Sequence, residues 1–356
     1  MKPLIQKGFH IVPGDNRKVT MTELARLANV NIATVSRALN GSPLVNAETR
    51  ERIIALAAEV GYVINATARN LRRQSSEALG VIIPMPPDSG QGAFDPFFLE
   101  MAGALAHAAT ARGFDLLVSV PGDLGLEAER RLLLAGRVDG LIVLGQAGRT
   151  DCLNALGDLA KKVVVWGGEV KGSKYTLAGS DNRQGGRLAT EHLFSVGRRR
   201  LLFLGNAALP EIDMRYAGFL DAHAARGIAH DPQRALPIGI GGKGALNSVS
   251  ALLSEVPEFD GIVAASDMAA VAAMQALAAS GRNVPGDVSV AGYDNISLAA
   301  LTAPGLTTID QNIRLAGQTL VELLLQKLDG QDVHSRTVPT GLVIRGSSVP
   351  HPERLT

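Results

Sequence analysis

Residues 18–64 can bury their apolar positions only as short helices packed on one another, and this constrains the 356-residue chain more than any other feature. Thr20 stands as an N-cap with Glu23 three residues on, the spacing of a capping box. A helix over about 21–28 then places Leu24, Ala25, Leu27 and Ala28 on one face. Asn29-Val30-Asn31 predicts a tight turn, because asparagine tolerates a left-handed backbone better than most residues. A second helix over about 32–39 buries Val35, Ala38 and Leu39 and leaves Ile32, Ala33, Thr34, Ser36 and Arg37 outward. The small Ala25 lets these two helices approach closely. A third helix, over 48–59, turns Ile53, Ile54, Leu56 and Ala57 inward. The first pair is a helix-turn-helix, a motif whose second helix enters the DNA major groove with its N-terminal residues against base edges.

The charge distribution agrees. Residues 1–76 carry 11 Lys and Arg against 5 Asp and Glu, whereas residues 77–356 carry 24 against 29. A basic module on an acidic body implies a polyanionic partner at one end only. Arg37, outward on the second helix, can pair bidentately with guanine O6 and N7. Ile32 and Ala33 can meet a thymine methyl or exclude a base, but cannot specify one by hydrogen bonding. Thr20, Thr34, Ser36, Asn40 and Thr49 are candidates for phosphate contacts, which set register and affinity without reading sequence. Residues 1–17 lack periodicity and are expected to form a disordered arm. Residues 65–74 carry three arginines and Leu71, and on their own read as a solvated linker.

From residue 78 the pattern changes. LGVIIP (79–84), DLLVSV (115–120), GLIVLG (140–145), KVVVWG (162–167), LLFLG (201–205), GIVAAS (261–266) and VSVAGYD (288–294) read as strands. Helices are expected between them over 99–112, 183–196, 214–227 and 268–280. Unbroken Val/Ile/Leu runs fit parallel strands covered on both faces, so the body is predicted to be doubly wound α/β. A hydrophobic content of 46% suffices for so large a core. The single cysteine, Cys152, excludes a disulfide framework. No apolar run approaches a membrane span and the first residues lack a signal-peptide core, so a cytoplasmic protein without membrane contact is expected.

The motifs T-V-S-R-A-L-N-G, T-R-E-R-I and G-Y-x-x-N-A-x-A-R-x-L follow one another at the spacing of the DNA-binding head and hinge of the lactose-repressor/galactose-repressor (LacI/GalR) family, which this chain resembles. The likeness continues through VDGLIVLG, SDNRQGGRLATEHLF, RYAGFLDAHAARGI and VSVAGYDN, covering nearly all of residues 18–345. Asn29 departs from the family's usual glycine. The resemblance implies a helix-turn-helix head over 18–64, a hinge helix and linker over 65–77, and an effector-binding and dimerisation body over 78–345. That body would be similar to a periplasmic sugar-binding protein, with two doubly wound parallel-sheet lobes. Its N-lobe would span about 78–178 plus 311–341 and its C-lobe about 179–308 plus 342–356. Crossings would fall near 178–180, 308–311 and 341–343. The resemblance further implies a hinge helix, carrying Asn65 and Ala68, that folds on a pseudo-palindromic operator and wedges Leu71 into a central minor-groove step. A homodimer is expected, since the tail lacks the leucine heptads of a coiled-coil tetramer.

Parallel sheets bind ligands at the carboxyl ends of their strands. Asp95, Phe97 and Phe98 follow the first strand, Gln146 follows GLIVLG, Trp166 ends VVVW, Ser266 ends IVAAS and Asp294 ends VAGYD. Arg215 begins the helix after LLFLG with Glu211 just before it, and Gln311 lies at an implied crossing. By the resemblance, Arg215 and Asp294 are the strongest effector ligands, able to hold neighbouring hydroxyls between a guanidinium and a carboxylate; the alternative is a salt bridge without a ligand role. Trp166, the only tryptophan, is either core or a stacking platform for a sugar face. Of Phe97 and Phe98, one is expected to line the pocket and the other to pack. Asp95, where many members have asparagine, joins Glu211 and Asp294 to make the cleft acid-rich, which suits a neutral sugar better than a phosphorylated one.

An enzyme is not expected. No G-x-G-x-x-G follows a first strand and G-x-x-x-x-G-K-[ST] is missing, and the glycine pair after Trp166 resembles a phosphate loop only superficially. Histidines 10, 107, 192, 223, 230, 334 and 351 show no metal-ligand spacing, and no cofactor is implied. A sugar-binding protein of a transport system would fit the body but not the head, and an activator remains open beside a repressor of carbohydrate-utilisation genes. WGGE…SDN and PEIDMRYAGF resemble members that respond to glucosides or other plant-derived sugars.

Overall fold

The computed structural model describes residues 19–62, 75–85, 95–122, 125–238, 245–256 and 258–349, and divides the chain into two compact units, Met1–Gln74 and Ser75–Thr356. The expected arm over 1–17 and the hinge positions Asn65, Ala68 and Leu71 lie outside the described residues.

The first unit contains α1 (Met21–Leu27), α2 (Ile32–Leu39) and α3 (Ala47–Glu59). Each helix starts on a side-chain cap. Thr20 Oγ1 accepts the Glu23 N–H at 3.3 Å, Asn31 Oδ1 the Thr34 N–H at 2.7 Å and Asn46 Oδ1 the Thr49 N–H at 2.8 Å. Asn29 has φ of 53°, the left-handed conformation that the turn requires. Leu24, Val35 and Ile53 are fully buried where the helices meet, and Arg52 Nη1 donates to the Ala28 carbonyl at 2.9 Å, tying α3 to the end of α1. Two expected core residues are not inward: Leu27 is 40% and Ile54 48% exposed. Three short helices bury only a narrow stripe each. Ile54 lies a full helical step of about 100° round from the central Ile53, which takes it out of that stripe.

In the second unit, β1 (Ala78–Ile82), α4 (Pro96–Thr110), β2 (Asp115–Ser119), α5 (Glu127–Leu134), β3 (Gly140–Leu144), α6 (Thr150–Asn154), β4 (Val163–Trp166) and β5 (Thr176–Ser180) build one half. The chain then enters α7 (Asn182–Ser195), β6 (Leu201–Leu204), α8 (Pro210–Ala225), β7 (Ala235–Leu236), α9 (Ala245–Glu255), β8 (Gly261–Ala264), α10 (Asp267–Ala279), β9 (Ser289–Asp294) and β10 (Thr307–Asp310). It returns through α11 (Ile313–Leu328) and β11 (Arg336–Val338), then adds β12 (Gly341–Val343). The first sheet has the order β11-β5-β4-β3-β1-β2, all parallel. The second has the order β12-β10-β9-β8-β6-β7, with only β10 and β12 antiparallel. The chain therefore passes between sheets after Ser180, after Asp310 and between Val338 and Gly341.

Both faces of each sheet are covered, which is why its strands are apolar without alternation. Along β3 and β4, Ile142, Leu144, Val164 and Trp166 join one core, while Leu141, Val143, Val163 and Val165 join the other. Burying each such side chain is worth roughly 1.5–3 kcal/mol. Sequence reading finds the strands with continuous Val/Ile/Leu runs and misses β5, β7, β10, β11 and β12. T-T-I-D and T-L-A-G-S carry threonine, glycine or aspartate where the others carry aliphatics, yet β5 and the first three residues of β10 are buried. Helices α5, α6, α9 and α11 were likewise not anticipated. Helices α7 and α8 touch backbone to backbone: a Cβ on Gly186 would stand 2.0 Å from the Arg215 carbonyl oxygen, and one on Gly218 1.9 Å from that of Arg183. This contact fixes where Arg215 emerges.

Candidate functional site

On the head, α2 presents Ile32 (47% exposed), Ala33 and Arg37 to solvent, and neither an ion pair nor a hydrogen bond to the Arg37 guanidinium occurs among the described residues. Thr34 is half-buried and its hydroxyl donates to Asn31 Oδ1 at 2.9 Å. Ser36 is half-buried, and Asn40 Nδ2 donates back to its carbonyl at 2.6 Å. Thr20 spends its hydroxyl oxygen on the α1 cap, and Thr49 sits half-buried in the first turn of α3. An exposed α2 tip with apolar residues first and a free arginine one turn on can lie in a groove about 12 Å wide and read it by shape and by one forked donor. Asn31 and Asn46 were missed, although an asparagine immediately before an amphipathic run is itself a cap signal.

In the body, a cavity of about 90 Å³ opens between the carboxyl ends of the two sheets. Asp95, Phe97, Phe98, Trp166, Glu211, Arg215, Ser266, Asp294 and Gln311 all line it. Gln146 does not. Its side chain is fully buried, donating through Nε2 to Tyr175 Oη at 2.8 Å and accepting from Gly168 N at 2.9 Å. The expected ligand role thus gives way to a structural one, and it explains the glycine pair: a Cβ on Gly167 would stand 2.6 Å from Gln146 Oε1. The backbone N–H of Gln146 does face the cleft side, donating to Glu211 Oε1 at 3.2 Å. Phe97 and Phe98 meet edge to face with centroids 5.4 Å apart, and both reach the cavity, Phe98 from the core and Phe97 from its edge.

Arg215 is held from three sides. Its Nε donates to Asn182 Oδ1 at 2.8 Å, its Nη1 donates to the Ala265 carbonyl, and its guanidinium lies 3.7 Å from the Tyr293 ring centre. Asp294 stands 3.9 Å away, an electrostatic contact rather than a hydrogen bond. Gln311 Nε2 donates to Asp294 Oδ1 at 2.6 Å, and Ser180 Oγ donates to Gln311 Oε1 at 2.7 Å. Burial raises the Asp294 carboxyl well above the ordinary carboxylate range, with Arg215 opposing that shift and the nearby Asp267 and Asp95 reinforcing it. Burial also raises Asp95 and Glu211. Three carboxyls whose charged forms are disfavoured, one tethered guanidinium and aromatic walls make a site for hydroxyl groups, which can donate to and accept from both kinds of partner. Asn182, Ser180 and Tyr293 were not anticipated. The strand-end rule points to Ser180 only once β5 is recognised as a strand, which its sequence does not announce.

A helix-turn-helix head joined to a two-sheet body with a ligand cleft defines a ligand-responsive DNA-binding regulator. The profile of the bacterial regulatory proteins of the lacI family matches residues 20–65, and that of the periplasmic binding protein-like domain matches residues 190–348. The chain is 32% identical over 335 residues to the HTH-type transcriptional regulator CelR of Thermobifida fusca, covering 92% of this chain and 96% of that one. It is 31% identical over 327 residues to the HTH-type transcriptional repressor PurR of Aliivibrio fischeri, with 90% and 94% covered. Among solved structures, the lac repressor dimer bound to operator and the anti-inducer ONPF matches with a TM-score of 0.81 at 28% identity, over 94% of this chain and 100% of that chain. A CelR–cellobiose complex matches with a TM-score of 0.68 at 28% identity, over 92% and 99%. The chain belongs to the LacI family of bacterial transcriptional regulators.

Proposed function

We propose that this protein is a repressor of carbohydrate-utilisation genes whose operator affinity is controlled by a neutral sugar bound between Arg215 and Asp294. The observation that carries the sugar assignment is the cleft chemistry: three carboxyls raised by burial face a single guanidinium that is already hydrogen-bonded. A phosphorylated ligand would bring more negative charge than that guanidinium offsets, whereas hydroxyls add none. The two heads of a homodimer would read a pseudo-palindromic operator through Arg37, Ile32 and Ala33, with Thr20, Thr34, Ser36, Asn40 and Thr49 on the phosphates. For Thr34 and Asn40 that role requires exchanging an internal hydrogen bond for a phosphate. Closing the two lobes on an effector would change the separation of the hinges, a coupling worth ~1–3 kcal/mol in comparable systems. No catalytic step, cofactor or membrane is involved in this reading, and its site of action is the cytoplasm. No helix among the described residues is long and apolar enough to cross a membrane.

The test is a thermal-shift screen of the full-length protein against cellobiose, ribose, other mono- and disaccharides, sugar phosphates and hypoxanthine, followed by operator binding with each hit. Binding to the native state raises the melting temperature by mass action. A neutral saccharide that stabilises the body and changes operator affinity is the expected result. A sugar phosphate or a nucleobase as sole hit would overturn the sugar assignment.

A further inference from the structure

Behind the cleft, a fourth carboxyl group, that of Asp267, has no place among the lining residues. Asp267, the first residue of α10, is fully buried. Its Oδ2 accepts the Ile296 N–H at 2.9 Å, and its Oδ1 accepts the Thr308 hydroxyl from β10. It occupies space that strand β9 leaves open for it, since a Cβ on Gly292 would stand 2.3 Å from Asp267 Oδ1. The backbone it grips is strained. Asp294 has φ of 123° and Asn295 φ of 57°, and the first of these is a conformation that an L-residue keeps only when its surroundings enforce it. Ile296, the clamped residue, follows directly.

We propose that Asp267 is the positioning residue for Asp294: by clamping the turn at 295–296 it aims the Asp294 carboxylate into the cleft, and its charge state sets that aim. Burial, the largest effect, pushes the Asp267 carboxyl up to about 7, against the Thr308 and Ile296 hydrogen bonds and Arg345. The charge of Asp267 raises the Asp294 carboxyl, so the two titrate as a pair. The charged groups around Asp267 are Asp294 on β9 and Arg345 beyond β12; Arg215 on α8 and Asp95 before α4 act on the pair through Asp294. Arg345 also donates to Asn295 Oδ1 at 2.8 Å, so the turn is held from both sides.

This inference rests on reading Asp294 as an effector contact, but it can be tested without an effector. Trp166, the only tryptophan, lines the same cavity as Asp294, so its emission reports on changes there, and the Asp267 variants assign them. Its emission in the full-length protein should follow a transition near pH 7. In Asp267→Asn the carbonyl can still accept from Ile296 and the amide can donate to a reoriented Thr308 hydroxyl, so the clamp persists without its charge. The transition should then vanish or move to lower pH. In Thr308→Val the carboxylate loses a donor and the midpoint should rise. Because the folded-state value lies above the ordinary one, the wild type loses stability as pH rises from about 4 through 7. The melting temperature of Asp267→Asn relative to wild type should therefore rise from pH 5 to pH 8.5. A wild type with no transition in this range, or an Asp267→Asn variant that titrates unchanged, overturns the positioning role. Sugar binding lost with the transition intact would instead overturn the effector reading alone.

Discussion

The head and the cleft use their functional side chains in opposite ways. On the head, Arg37 and Ile32 stand in solvent with no partner within the unit, among the described residues, and the fold beneath them is a core of three short helices. In the cleft, Arg215, Asp294 and Gln311 are buried and bonded to one another's neighbours before any ligand arrives. A groove reader supplies its donors to a rigid external surface, whereas a cleft that selects among small molecules needs its polar groups held in advance. The two regions should therefore fail differently. Leu24→Ala and Leu79→Ala each remove a fully buried leucine, at a cost of about 2–5 kcal/mol. A unit as small as the head has little stability to lose. Leu24→Ala should abolish operator binding while any saccharide-induced thermal shift persists; Leu79→Ala should lower the melting temperature of a body that stays folded at 25 °C. Operator binding retained in Leu24→Ala would break the comparison.

The next effects are functional. Arg215→Ala should remove the response to an effector and leave operator affinity unchanged, as read by fluorescence anisotropy with and without a saccharide hit. Asp294 can then take up a proton, so the cost in stability should be smaller than that of an uncompensated buried charge. Arg37→Ala should reduce discrimination for the operator by about 1–3 kcal/mol, the worth of a bidentate arginine–guanine contact. Its salt-sensitive binding to unrelated DNA should persist, because phosphate contacts supply that component. An unchanged operator preference would remove Arg37 from the reading face.

The same division explains what could be read from the sequence. In the head, the cap at Thr20, the turn at Asn29 and the outward set Ile32, Ala33 and Arg37 are local consequences of residues three or four apart. Only Leu27 and Ile54 misled, because periodicity does not say how wide a stripe three short helices can bury. In the body, strands announced by continuous aliphatics were legible, whereas β5 and β10 were not, being built from threonine, alanine, glycine and aspartate. Yet these two carry Ser180 and lead into Gln311, which links them by hydrogen bond across 131 residues of sequence. The strand-end rule and the family resemblance together brought nine side chains to one cavity, but the rule misplaced Gln146. Its position after β3 was correct, and the competition of Tyr175 and Gly168 for its amide is not a property of any local pattern.

Two asparagines sharpen the contrast at its smallest scale. Asn182 accepts from Arg215 Nε across 33 residues and is buried, so Asn182→Ala leaves a charged donor unpaired at a cost of about 1–3 kcal/mol and frees the guanidinium to swing. Asn31 accepts from the Thr34 N–H and hydroxyl at the exposed start of α2. Replacing it by alanine should cost ~1 kcal/mol, and by glycine only a few tenths, because glycine still adopts the cap backbone and admits water to the free N–H groups. That order, measured as melting of the head and as operator affinity, tests whether Asn31 acts as a cap alone. Should Asn31→Gly lose operator affinity as strongly as Asn31→Ala while melting normally, Asn31 would be a DNA contact in its own right. The tip of α2 would then hold a polar group engaged inside the protein until DNA displaces the bond.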